Sequence, residues 1–193
     1  IKLMDVFQID FSKKTKKANA AVVGIGKSRR VILTDTLLEN FSDDEIGTVC
    51  AHEFAHHKLL HILKIITFSS ILTAIGFYIL SLTMQRIALT FAAEAIYDIG
   101  IFPSFMIVFF VFSLFIMPIQ NAYSRMLEKE ADIFAIDVTG NIQAFISVME
   151  KLAKLNLADV DPPKLIKYIF YNHPPISERI KMANEKGTSL HRH

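Results

Sequence analysis

The stretch at 50–61 reads CAHEFAHHKLLH and holds four histidines in two pairs spaced four apart, His52/His56 and His57/His61. On a helix, residues four apart share a face, so either pair can present two nitrogens to one ion. Neutral imidazole nitrogens suit Zn²⁺ at about 2.0–2.1 Å. The residue after the first histidine separates the two pairs. Glu53 follows His52 and completes the pattern H-E-x-x-H. It cannot easily coordinate beside His52, which leaves it free to act as general base toward an attacking water. Lys58 follows His57; it offers no base, and its cation opposes a metal. His52 and His56 are therefore the expected ligands. His57 and His61 are expected at the surface or at headgroup level, and Cys50, on another helix face, in the core.

A catalytic zinc needs a third protein ligand and one open position. The run SRMLEKEAD at 124–132 offers Glu128, Glu130 and Asp132. At about 100° per residue, Glu128 and Asp132 share a helix face and Glu130 points away. The expected assignment is Glu128 to the metal, with Asp132 accepting a hydrogen bond from a ligand histidine, His52, and so fixing its ring. Glu130 is expected to be an exposed helix acid. A third element, NHPPISERI at 172–180, sets His173 and Arg179 in or beside a rigid Pro-Pro turn. Peptide hydrolysis passes through an oxyanion that donors can stabilise. His173 is the expected donor, and Arg179 the residue that holds the acid network or assists.

These motifs need elements that bring them together. The chain has 193 residues, enough for one domain of ordinary size, with 52% hydrophobic residues, sixteen Phe and no Trp. That is oilier than an ordinary soluble domain. Residues 62–83 are apolar apart from Lys64 and scattered Ser/Thr, and 102–119 carry no charge. The first run, at about 1.5 Å per residue, is long enough for a hydrocarbon core of about 30 Å; the second is slightly short. Pro103 and Pro118 sit near the ends of the second run, where proline is tolerated. The expectation is a transmembrane helical hairpin with a linker at 84–101. Two buried helices of a soluble core are the rejected reading, because uncharged runs this long are rare there.

Residues 1–61 carry nine Lys/Arg and residues 120–193 carry ten, whereas the linker carries only Arg86. Positive charge favours the cytosolic side, so both polar flanks are expected there, with the hairpin tip outside. The division is a first catalytic half (1–61), a membrane hairpin (62–119) and a second catalytic half (120–193). Before the hairpin, 19–23 and 30–34 read as two strands joined by a turn at Gly24, Gly26 and Ser28. Ser42 with Glu45 three residues later reads as a capping box opening the HEFAH helix. After the hairpin, a helix stopped near Gly140, a second at about 142–156, a looser stretch at 159–175 and a final short helix are expected. The net charge of +2 does not point to nucleic acid. The single cysteine excludes an internal disulfide framework. The chain opens on Ile1, with no visible signal peptide, and is expected to be part of a longer protein with further upstream spans.

Taken together, NAAVVGIGKSRRVILTDTLL, HEFAH, SRMLEKEAD and HPPISER occur in one order with two apolar runs between the second and third. In this the chain resembles the integral-membrane zinc metalloproteases of the CAAX prenyl protease type I group, over about residues 8–182. Bacterial heat-shock membrane proteases are more distant; they share HExxH and HPP but usually lack RRVILTDTLL. The resemblance implies a mainly α membrane protein of gluzincin type. Its zincin-like catalytic part carries a small β-hairpin or sheet, and the transmembrane hairpin is inserted between HExxH and the third ligand. It implies ligands His52, His56 and Glu128, the base Glu53, and supporting Asp132, His173 and Arg179. It also implies that Asn19, Ala20, Ala21 and Val22 lie along the substrate, in line with the capacity of an edge strand to pair with an extended peptide. The expected activity is zinc-dependent cleavage of membrane-associated proteins. Quality-control cleavage of misfolded membrane proteins, or an inactive zinc-stabilised scaffold, are the alternatives. The group often has aromatic residues where this chain has Ala21 and Val22, and Leu-Gly where it has Phe54 and Ala55.

Overall fold

A computed structural model of the chain describes residues 5–24, 26–91, 98–157 and 159–190. Strand β2 (Ala20–Val23) pairs antiparallel with β3 (Arg30–Thr34), the expected hairpin. A further strand, β1 (Asp5–Ile9), runs parallel to β3 on its other side, giving the order β1-β3-β2. This strand has no counterpart in the sequence reading. All five of its residues are exposed, so DVFQI carries no buried-face alternation by which a strand is recognised.

Helix α1 (Asp35–Asn40) leaves β3 through Thr34, whose side chain accepts from the Leu37 amide. The same hydroxyl receives the Asn19 amide at 3.0 Å, and the Thr34 amide returns to the Asn19 carbonyl at 3.1 Å. Asp35 receives the Phe11 and Ser12 amides at 2.8 and 3.0 Å. The run VILTDT therefore serves as a clasp that fixes where Asn19 sits.

Helix α2 (Asp43–Lys58) begins at Ser42, whose amide donates to Glu45 at 2.7 Å, as the capping box requires. Glu45 is buried and also binds Lys151 of helix α5 (Ile142–Leu155) at 2.6 Å, together with Ser147. Burial pushes the Glu45 pKa up, but hydrogen bonds from Lys151, Ser147 and the Ser42 amide outweigh it and bring it from 4.5 to about 2. A carboxyl whose pKa is lower folded than unfolded stabilises the fold above pH 4.5, and that contribution is lost as pH falls toward 2. Glu45→Gln is expected to cost about 1.5–3 kcal/mol at neutral pH, the range for hydrogen bonds to charged groups. Melting temperatures of both forms, followed from pH 7 down to 2, should converge below pH 4.5.

Helix α2 stops at Leu59, and Leu60 adopts a left-handed backbone with φ 57° and ψ 35° before α3 (His61–Thr90) begins. Helix α4 runs from Phe102 to Thr139 without interruption, 38 residues that pass through Pro118. The expected division at 119/120 is thus not a break in the helix: one rod carries both the uncharged run and the acids at 128–132. Of the expected linker, residues up to Thr90 are helical and 92–97 lie outside the described residues. Both helices are long and apolar enough to cross a membrane, and only 11% and 6% of their most apolar stretches are buried. A soluble core helix would be covered on most sides; these present apolar surface outward, as helices in lipid do. Gly76 lets them approach, since a Cβ there would meet the Phe112 ring at 2.5 Å.

Gly140, with φ 64°, ends α4. A helix α6 (Lys164–Phe170) occupies part of the stretch expected to be loose, and α7 (Ile176–Leu190) closes the chain. The core lies between sheet, α2, α4, α5 and α7, around Leu33, Leu37, Ile136, Phe145, Val148 and Ala183.

Candidate metal centre

Helices α2 and α4 pack together and place His52, His56 and Glu128 face to face. His52 Nε2 and His56 Nε2 are 3.3 Å apart. Glu128 brings one oxygen to 3.3 Å from His52 Nε2 and the other to 3.6 Å from His56 Nε2. A tetrahedron whose centre lies about 2.0–2.1 Å from each vertex has edges of about 3.3–3.4 Å. The two nitrogens stand at that spacing and each faces a different Glu128 oxygen; one donor atom from each residue lies within 4.8 Å of the other two, as a site for one small cation needs. Two imidazoles and a carboxylate are also the donor types that such an ion takes.

The electrostatics fit a cation at this point. Burial pulls both histidines down. At His52, contacts with Asp132 and Glu128 overcome it, and the pKa rises to about 9. At His56, burial and then the His52 charge act together, and the pKa falls to about 4. In the protein chain alone, the pair carries a single positive charge, on His52, and an arriving metal ion must displace the proton on its Nε2.

The remaining side chains surround this point. Asp132, fully buried, lies 2.9 Å from His52 Nδ1. Arg179, from the first turns of α7, donates through Nε to Asp132 at 2.8 Å and through Nη2 to its other oxygen. His173 Nδ1 sits 2.9 Å from Glu128 Oε2, the oxygen that also faces His52; the His173 side chain is 55% exposed. Glu53 shares a cavity of about 150 Å³ with His52, Glu128, His173, Arg179, Asn19 and Ala20. Burial pushes the Glu53 carboxyl up from its ordinary value. A larger hollow of about 380 Å³ lies between α3 and α4, lined mainly by apolar side chains and away from these groups.

The substrate-side residues lie at the sheet edge. The Asn19–Thr34 pair exchanges hydrogen bonds, so by antiparallel alternation the backbone groups of Ala20 and Val22 point to the open edge of β2. His57 Nε2 donates to the Val22 carbonyl at 2.9 Å and fastens this edge to α2.

Two expectations are corrected here. His61 is not at the surface: it is fully buried, with Nδ1 at 3.1 Å from His56 Nδ1 and Nε2 at 3.2 Å from Glu130. Glu130 is not merely an exposed helix acid, since it binds His61 and, at 3.0 Å, Lys64. His57 is half-buried on the β2 edge, and Cys50 is partly buried against the core. The reading also missed Asn121 and Arg125. Asn121 donates to the Ile169 carbonyl at 2.6 Å, and Arg125 donates to the carbonyls of Lys167 and Tyr171. They fasten the end of α6 to α4 and so hold the segment leading to His173. Carbonyl partners leave no trace in residue types, so no sequence signal could have found them.

Comparison with known proteins adds an independent line. The profile of peptidase family M48 matches residues 1–186. An uncharacterised metalloprotease of Bacillus subtilis, YhfN, is 34% identical over 94% of this chain and 43% of its own length. The human CAAX prenyl protease 1 homolog is 27% identical, with 93% of this chain and 46% of the relative covered. The crystal structure of Ste24p from S. mikatae superposes with a TM-score of 0.79 at 27% identity, over 95% of this chain and 46% of that one. The chain thus spans less than half the length of the relatives it matches.

Proposed function

Because the chain belongs to peptidase family M48, we propose that it forms the catalytic part of a membrane-bound zinc endopeptidase. The observation that carries this reading is the convergence of His52 Nε2, His56 Nε2 and the Glu128 carboxylate, one donor atom of each lying within 4.8 Å of the other two. When bound, zinc would act as a Lewis acid on the scissile carbonyl and lower the pKa of a water. The protein side chains supply the rest. Glu53 takes a proton from the attacking water and later gives it to the leaving amine. Its burial favours this role, because a raised pKa makes the carboxylate a stronger base. Asp132 orients the His52 ring, and Arg179 holds Asp132 in place as an anion. His173, more than half exposed and holding its Nδ1 to Glu128, has Nε2 left to donate to the carbonyl oxygen as charge builds on it.

A substrate in extended form would add to the edge of β2 along Asn19, Ala20, Ala21 and Val22 and cross the Glu53 cavity. The names of several relatives support a substrate of CAAX type, presented near the membrane surface. The Lys/Arg-rich flanks support a catalytic part on the cytosolic side, with the α3–α4 tip across the bilayer. An inactive scaffold has no use for a buried carboxylate beside an open metal position, so Glu53 speaks against that reading. Treating the purified protein in lipid with a chelator is expected to remove both bound zinc and peptide cleavage, and added Zn²⁺ to restore them together. Undiminished cleavage by the metal-stripped protein would sink the proposal.

A further inference from the structure

His52 has an outer partner in Asp132, whereas the acid motif offers none for His56. We propose that His61 and Glu130 form that partner, a two-step relay that fixes the tautomer and ring plane of His56. The inference rests on the metal-site reading above.

The geometry leaves one arrangement of protons. His56 turns Nε2 toward His52 and Glu128, so Nε2 must keep its lone pair to bind a metal. In a neutral ring the proton then sits on Nδ1. That nitrogen is 3.1 Å from His61 Nδ1, which must accept. A neutral His61 accepting at Nδ1 carries its proton on Nε2 and donates it to Glu130, 3.2 Å away. The chain of donors runs from His56 through His61 to Glu130, with every nitrogen used once. A ligand histidine whose other N–H is held by a hydrogen-bond acceptor keeps its orientation and gains basicity.

Two further features point the same way. His61 is fully buried although it opens a long apolar helix. Its position follows from the left-handed residue Leu60. In an uninterrupted helix residue 61 would stand over residue 57, four before it. The turn at Leu60 moves it onto His56 instead. A non-glycine residue rarely adopts this conformation, and here it is what brings His61 to His56.

The test measures zinc affinity by competition with a chromophoric chelator, and the visible spectrum of the Co²⁺-substituted protein. His61→Phe keeps an aromatic ring and removes the acceptor. It is expected to weaken zinc binding by about 10–100-fold and to shift the cobalt bands. His61→Gln, whose amide oxygen can accept from His56, should recover part of the loss. Glu130→Ala alters a half-exposed side chain, so it serves if His61→Phe does not fold, and should weaken zinc by about tenfold, the low end of that range. Wild-type affinity and an unchanged cobalt spectrum in either folded variant would overturn the relay, as would equal losses in His61→Phe and His61→Gln. Failure of the wild-type chain itself to bind zinc would instead bring down the metal-site reading, and the relay with it.

Discussion

Glu53→Gln is expected to lower peptide cleavage by about 10²–10⁴-fold, the usual contribution of a positioned general acid–base group, with bound zinc unchanged. The two halves of this result follow from different observations. Glu53 is not among the three residues whose atoms converge on the candidate metal point, so its amide isostere leaves the donor set intact. It does share the small cavity with His52, Glu128 and His173, and glutamine cannot take up a proton there. Zinc content and cleavage must be measured on the same preparation. Equal cleavage by the variant and the parent would end the proposed role of Glu53. Loss of zinc along with cleavage would make Glu53 a ligand and displace one of the other three.

Arg179→Ala should be the most destabilising substitution near the site, by about 3–5 kcal/mol, because it leaves a buried carboxylate without its cation. Asp132 is fully enclosed, and Arg179 supplies two donors to it from α7. Removing them also frees Asp132 from the geometry that steadies His52 at 2.9 Å, so weaker zinc retention should accompany the lower melting temperature. Arg179→Lys restores the charge but not the two-pronged contact, and should regain only part of both. An Arg179→Ala protein with parental melting temperature and zinc content would reduce the pair to a surface contact.

The motif residues were legible because their spacing is helical. His52/His56 and Glu128/Asp132 each lie within one uninterrupted helix, where the residue period holds. The same rule misled for His61. It pairs with His57 on paper and with His56 in space, because Leu60 breaks the helix between them. Nothing in KLLH announces a left-handed leucine. Glu130 was discounted because it points away from Glu128, yet the face it does occupy meets the start of α3. The parallel strand β1 was missed because its pairing joins segments some twenty-five residues apart and buries no side chain of its own. Apolarity located the two long helices but not their ends. Hydropathy stops at residue 119, whereas the backbone of α4 goes on to Thr139.

That continuity has a mechanical consequence. Phe102 and Glu128 belong to one rod, separated by about 39 Å at 1.5 Å per residue. Pivoting the rod by one degree about its far end displaces Glu128 by about 0.7 Å, while catalytic constellations must hold to about 0.5 Å. Helices that cross a bilayer answer changes in its thickness by tilting. The lipid around α4 is thereby a lever arm's length from the third corner of the cation site, and its thickness helps set the angle at which that corner closes.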